Sequence, residues 1–284
     1  MIQFNNHNIS AIEYGGHTIK KVYGACSNDP IWEYSEPTPP PTPDVPANTK
    51  FYAQYRTLPD AYIECDGNIL TTREMYNSPM PTAITEITYA YFAACAGLIP
   101  DYAIGNYGQY LTGTTIENGI TRVGNSAFMN TRLKSVVIPP SVSTIAPNAF
   151  ASDAVDRPSQ LTSVTFPTNA VDLIRIRDNA FSGCTALTSV VLNSVYQIDA
   201  GSFRNCYSLT SVTMGENVSR IEATAFNGCI SLARFTIYTV TPPTIGSQVF
   251  DNIPTTIYVP SESVNAYKTA SNWSRYADRI QAII

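Results

Sequence analysis

The stretch Ile198-Asp199-Ala200-Gly201-Ser202-Phe203-Arg204-Asn205-Cys206-Tyr207-Ser208-Leu209-Thr210-Ser211-Val212 decides the fold of this chain. Its frame is an aliphatic residue, three spacers, a small residue joined to Phe, Cys three positions on, Leu three further, and a short alternating run. The frame recurs at Ile221-Glu-Ala-Thr-Ala225-Phe226, Ile176-Arg-Asp-Asn-Ala180-Phe181, Ile145-Ala-Pro-Asn-Ala149-Phe150 and Val123-Gly-Asn-Ser-Ala127-Phe128, with a looser copy at Ile245-Gly-Ser-Gln-Val249-Phe250. Its Phe residues lie 22, 31, 22, 23 and 24 positions apart. A period of that size, with one strand per unit, marks a solenoid whose units stack on each other.

Working outward, Leu161-Thr162-Ser163-Val164-Thr165-Phe166-Pro167 shows how one unit divides its faces. Leu161, Val164 and Phe166 are expected to point inward and Thr162, Ser163 and Thr165 toward solvent, with strict alternation from Ser163 to Phe166. Pro139, Pro167 and Pro260 end their strands because proline lacks an N–H for the ladder. The Ala-Phe pair is expected on the opposite wall, with its rings stacked into a spine. Cys184, Cys206 and Cys229 each follow a repeat Phe by three positions, as Cys95 follows Phe92. Stacked rungs would place them about 5 Å apart, so they read as a buried structural ladder.

Equivalent outward positions are Lys134/Ser135/Val137, Thr162/Ser163/Thr165, Thr188/Ser189/Val191, Thr210/Ser211/Thr213 and Ala233/Arg234/Thr236. This carpet of hydroxyls is the candidate binding surface, for a glycan or a protein. Simple strand propensity and solubility of Ser and Thr account for the same rows without a ligand.

Ile87-Thr-Tyr-Ala-Tyr91-Phe92-Ala-Ala-Cys95-Ala-Gly-Leu98 matches the frame and is expected to be a degenerate first rung, with Tyr107 to Gly119 a loop or insertion. At the other end, Ser261, Val264 and Tyr267 give an N-cap signal and helical spacing. A terminal helix with Tyr267, Trp273 and Ile280 inward would cover the last rung. The expected divisions are a β module at 1–34, a linker at 35–49, a cap region at 50–83, the solenoid at 84–260 and a helical cap at 261–284. In the first module, Ile12, Tyr14, Ile19, Val22, Tyr23 and Trp32 are the candidate anchor residues, with a Gly15-Gly16 hairpin turn between alternating runs. Six prolines between Ser35 and Asn48 favour an extended polyproline spacer of roughly 3.1 Å per residue.

The frame resembles the BspA-type leucine-rich repeats over about residues 84–284. That resemblance implies a right-handed, mostly β leucine-rich-repeat solenoid of α/β type, used for adhesion on bacterial surfaces. The second rung departs from it by an insertion from Ser152 to Gln160, and the sixth by Asn252-Ile-Pro in place of Cys and Leu. The opening thirty residues resemble short leader modules of tailed-phage virion proteins.

Charged residues make up 14% of the chain and the net charge is −5, which argues against a nucleic-acid partner. No run of about 18 apolar residues is present, so no membrane span is expected. The first ten residues have no basic start, apolar block or cleavage site, and are not expected to be a secretory signal. His7 and His17 lie far from the repeats, no G-x-S-x-G motif appears, and Asp251, Glu262 and Asp278 read as solvated charge. No enzyme, cofactor or metal is expected. The expected function is a virion-attached fibre or decoration protein, in a homo-oligomer or larger assembly. Residues 1–34 would dock it to virion proteins and the solenoid would face a host protein or glycan. A bacterial cell-surface adhesin and a purely structural virion subunit are the alternatives.

Overall fold

A computed structural model describes residues 97–104, 108–154 and 158–283, together with the strands N-terminal to them. Those early strands are β1 (Ile2–Phe4), β2 (His7–Ile9), β3 (Ile12–Glu13), β4 (Thr18–Ile19), β5 (Phe51–Tyr55), β6 (Tyr62–Cys65) and β7 (Ile87–Phe92). β1 pairs with β2 and β3 with β4, both antiparallel, with Ile12 opposite Ile19; the expected Gly15-Gly16 turn lies outside the described residues. Tyr14, Val22, Tyr23, Trp32, the Pro-rich segment and Cys95 lie outside the described residues.

From β7 onward the chain is a mostly β parallel solenoid of about eight turns, each contributing one strand to each of two walls. The back wall stacks β8 (Leu98–Ile99), β10 (Arg122–Val123), β12 (Thr144–Ile145), β14 (Ile174–Ile176), β16 (Val195–Ile198), β18 (Arg220–Ile221) and β20 (Thr244–Ile245). On the front wall, β9 (Gly113–Ile116) pairs with β7. Beside it run β11 (Ser135–Val137), β13 (Ser163–Thr165), β15 (Ser189–Leu192), β17 (Ser211–Met214), β19 (Arg234–Ile237), β21 (Thr256–Val259) and β22 (Ile280–Ala282). Within each wall the paired strands run parallel, and they are in register apart from a shift between β14 and β16 at Ile174/Arg175. Val190 opposes Val212 and Val212 opposes Phe235, so a residue type chosen in one rung meets its equivalent in the next.

Between the walls run the Phe rings. Phe128, Phe150, Phe181, Phe203 and Phe226 stack at 5.1, 5.1, 5.2 and 5.3 Å with planes within 7° of parallel, and Phe250 continues the row at 6.0 Å. Stacking so close requires a small residue before each Phe. Ala127, Ala149, Ala180, Ser202 and Ala225 are fully buried there, and the backbone N–H of Phe128, Phe150, Phe181 and Phe203 donates to the carbonyl of that small residue one rung on. The residue preceding the pair adopts positive φ in every rung, at Ser126, Asn148, Asn179, Gly201, Thr224 and Gln248. Gly and Asn adopt that region at low cost, which accounts for Asn148, Asn179 and Gly201; at Ser126, Thr224 and Gln248 the stacked turn imposes it.

Two expectations change at the N-terminal end. Ile87–Phe92 is not a repeat turn but a front-wall strand, paired antiparallel with β5 and parallel with β9. The first turn is Ile99-Pro-Asp-Tyr-Ala103-Ile104, where Ile99 pairs with Val123 and the Ile104 N–H donates to Ala127 O. A run of β-branched and aromatic residues interrupted only by Ala90 favours extension, and that local preference outweighs a chance match to the frame. The expected loop from Tyr107 to Gly119 consequently contains β9.

At the other end, helix is confined to α1 (Val264–Thr269) flanked by 3₁₀ turns at Ser261–Ser263 and Trp273–Arg279, and Ser261 caps nothing. The chain then returns as β22, a strand that sequence reading assigned to the helical cap. Tyr267, Trp273 and Ile280 are buried as expected. Their polar atoms, with neighbours, satisfy the last turn's carbonyls: Tyr267 Oη to Thr239 O at 2.8 Å, Trp273 Nε1 to Pro243 O at 2.7 Å, Asn272 Nδ2 to Ile245 O at 2.8 Å and Arg279 Nη1 to Ile253 O at 2.6 Å. Asp251 is not merely solvated: its carboxylate accepts from Tyr276 Oη and Arg275, tying the cap to the sixth Phe turn. In that turn Ile253 is buried three positions after Phe250, filling the place of the missing Cys.

Candidate functional site

Front-wall pairing aligns the candidate binding rows, and the three rows differ in chemistry. The first is structural. Thr162 Oγ1 donates to Lys134 O at 3.0 Å, Thr188 to Thr162 O at 3.4 Å and Thr210 to Thr188 O at 3.0 Å, so each hydroxyl proton bridges to the preceding rung. A second hydroxyl ladder of this kind edges the back wall, through Thr121, Ser143, Ser219 and Thr244.

The middle row, Ser135, Ser163, Ser189 and Ser211, is different. These residues pair in register, lie at or near the surface, and make no side-chain hydrogen bond to the described residues. Adjacent rungs of a sheet lie roughly 5 Å apart, so the row is a line of unspent hydroxyls at that pitch. In the third row Val137, Thr165 and Val191 are exposed and Thr213 is half-buried. Val137 and Val191 stand 62% and 49% exposed, an apolar component among the hydroxyls.

Thr236 departs from the expectation. It is only 4% exposed and cannot present its hydroxyl as a surface row would. The neighbours explain this: on the next strand Tyr258 pairs with Thr236, and the Arg234 guanidinium lies 3.9 Å from the Tyr258 ring centroid. Two large side chains thus close over a small one. The aromatic contribution of Tyr258 was not anticipated from the sequence, although its place in the Tyr258-Val259-Pro260 strand ending offered the signal.

The cysteine ladder is as expected. Cys184, Cys206 and Cys229 are free and buried, and each thiol donates to the Phe carbonyl of the preceding turn (Phe150, Phe181 and Phe203) at 3.1–3.3 Å. Burial pushes the Cys184 thiol up to about 12 and raises Cys206 as well, which holds both as unreactive protonated thiols. A buried carboxylate, Asp199, sits on the back wall. Arg175 approaches it at 3.0 Å and Arg177 at 2.8 Å as ion pairs, and Gln197 Nε2 donates to it at 2.8 Å. Every oxygen there is held by a neighbour, the arrangement of a structural tie.

Among the described residues no group of three or more His, Cys, Asp or Glu is placed to hold a metal ion, and no helix is long and apolar enough to cross a membrane. No curated protein matches the chain. Three solved structures show low-level likeness. The pneumococcal vaccine antigen PcpA aligns at 20% identity over 62% of this chain and 46% of its own, with a TM-score of 0.44. A leucine-rich repeat protein from Bacteroides ovatus aligns at 17% identity over 69% of this chain and 66% of its own, with a TM-score of 0.28. A leucine-rich cell surface protein from Faecalibacterium prausnitzii aligns at 17% identity over 70% of this chain and 79% of its own, with a TM-score of 0.27. The chain therefore spans less than two thirds of the length of the first two. Six copies of the BspA type leucine-rich repeat region match across residues 57–156, 97–233 and 154–272, and with the larger part of its length so covered the chain belongs to the BspA-type leucine-rich-repeat family.

Proposed function

We propose that this chain is a non-enzymatic adhesion protein whose front wall binds a host protein or glycan, carried on a virion by residues 1–34 and held away from it by the proline spacer at 35–49. The observation that carries the binding assignment is the middle serine row, whose in-register hydroxyls are left unspent while the flanking threonines are tied to the backbone. What supports the virion placement is the order of parts: short antiparallel strand pairs, a proline-rich stretch, then a display domain. Membership of the BspA-type family favours a second placement, on a bacterial cell surface.

Blocking the wall tests the reading. Ser163, Ser189 and Ser211 changed together to Tyr leave the threonine ladder intact and should abolish adhesion of the full chain to its target cells at unchanged melting temperature. Adhesion that persists in this variant removes the front wall as the binding surface. For the placement, electron microscopy of the native assembly should show residues 1–34 within a multi-subunit particle. Finding the chain only on bacterial envelopes selects the second placement.

A further inference from the structure

Charge is distributed unevenly over this molecule. The described arginines are mostly engaged: Arg122 with Asp101, Arg175 and Arg177 with Asp199, Arg220 with Glu222, Arg275 with Asp251, and Arg279 with backbone carbonyls. Front-wall strands β11 to β21 carry no acidic residue at all, in a chain whose net charge is −5. The two cations on that wall are Lys134 and Arg234, both exposed and without an ion-pair partner among the described residues. They stand on rungs four steps apart, roughly 20 Å along the stacking direction. Arg234 is held in place by the Tyr258 ring rather than by a carboxylate. A guanidinium stacked by its face keeps its N–H fork directed away from the ring, available for a planar oxyanion.

Resting on the front-wall reading above, we infer that the ligand is a carboxylate-bearing polysaccharide lying across the strands, with Arg234 receiving a carboxylate and Ser163, Ser189 and Ser211 exchanging hydrogen bonds with sugar hydroxyls. Three features select this class over an acidic peptide. Strands β13 to β19 are each hydrogen-bonded on both sides, so no backbone edge is open for strand addition at the wall's centre. Serine hydroxyls both donate and accept, matching sugar hydroxyls, which do the same. The rung pitch is comparable to the monosaccharide repeat of an extended glycan, so successive sugars meet successive serines. At the Arg234 end Tyr238 is 43% exposed and offers a ring face for stacking.

The test is binding of the full chain to alginate and hyaluronan oligosaccharides, with dextran and poly-glutamate as comparisons. The expected result is binding to the two acidic glycans alone, weakened by rising salt. Arg234→Ala should reduce it at least about tenfold, the size of one charge-assisted bidentate contact, and Arg234→Lys should restore only part. No binding to either acidic glycan overturns the inference, as does equal binding of dextran, preference for poly-glutamate, or an Arg234→Ala variant that binds as well as the parent. If adhesion to target cells is lost in the triple Ser→Tyr variant while these probes fail, the ligand class is wrong and the front-wall reading survives. If the triple variant adheres normally, the front-wall reading itself fails.

Discussion

Truncating Phe203 to Ala probes the spine where it is most regular. The ring is fully buried and stacks on Phe181 at 5.2 Å and Phe226 at 5.3 Å, so no neighbour can move into the vacancy without leaving its own stack. Burial of a Phe side chain and the cavity left by its loss together cost about 3–5 kcal/mol. The two lost stacking contacts, at about 0.5–1.5 kcal/mol each, place the expectation toward the upper end of that range. For a domain of this size 1 kcal/mol moves the melting temperature by about 2–4 °C, so the expected drop is about 8–20 °C by circular dichroism or calorimetry. Phe203→Leu keeps most of the volume and should recover about half. The perturbation is also local, because each turn touches only its neighbours. Hydrogen exchange should therefore accelerate first in β15 to β18 and last in β10. A melting temperature within about 2 °C of the parent would refute the stacked-spine account of stability.

Other consequences are open to measurement. Gly183 has φ +72° and a Cβ there would meet Ser152 O at 1.9 Å, whereas Gly97 has φ +71° with open space; Gly183→Ala should cost several-fold more stability than Gly97→Ala, whose cost is about 1 kcal/mol, in parallel urea melts. Native Cys184 and Cys206 should not react with a thiol reagent at pH 9 until denaturant is added. Their folded-state titration is raised, so the unfolded chain loses these protons first. Stability should fall as pH rises from about 9 toward 12, by up to about 3 kcal/mol per pH unit for two thiols, and a flat profile there would contradict their burial. Trp273→Ala removes a buried ring and its bond to Pro243 O, and should destabilise by about 3–5 kcal/mol while raising exchange in β20 and β21 before β12; uniform acceleration would show that the cap does not act locally.

Legibility followed the repeats. Where the frame recurs with its Phe, Ala and Cys intact, the inward residues, the ring spine and the thiol ladder are all read correctly, because each turn solves the same packing problem as the last. Where a copy stands alone the reading failed. Ile87 to Leu98 carries the right letters, yet its extended propensity and its antiparallel neighbour β5 make Ile87–Phe92 a strand, and the true first turn uses Ile104 where Phe is expected. Thr236 shares its position with exposed Thr165 and half-buried Thr213 but is covered, since burial there depends on Tyr258 of the next rung and on where Arg234 comes to rest.

The sequence by itself determined the period, the two faces of each strand and the identity of the core, since these follow from local alternation multiplied by repetition. Only the tertiary structure decided which hydroxyls are spent and which remain available, which arginines are paired, and how the last turn is closed by β22 and the side chains beneath it. Most of those properties belong to contacts between rungs, whose partners lie 21 to 30 residues apart in the chain and are brought together only by stacking.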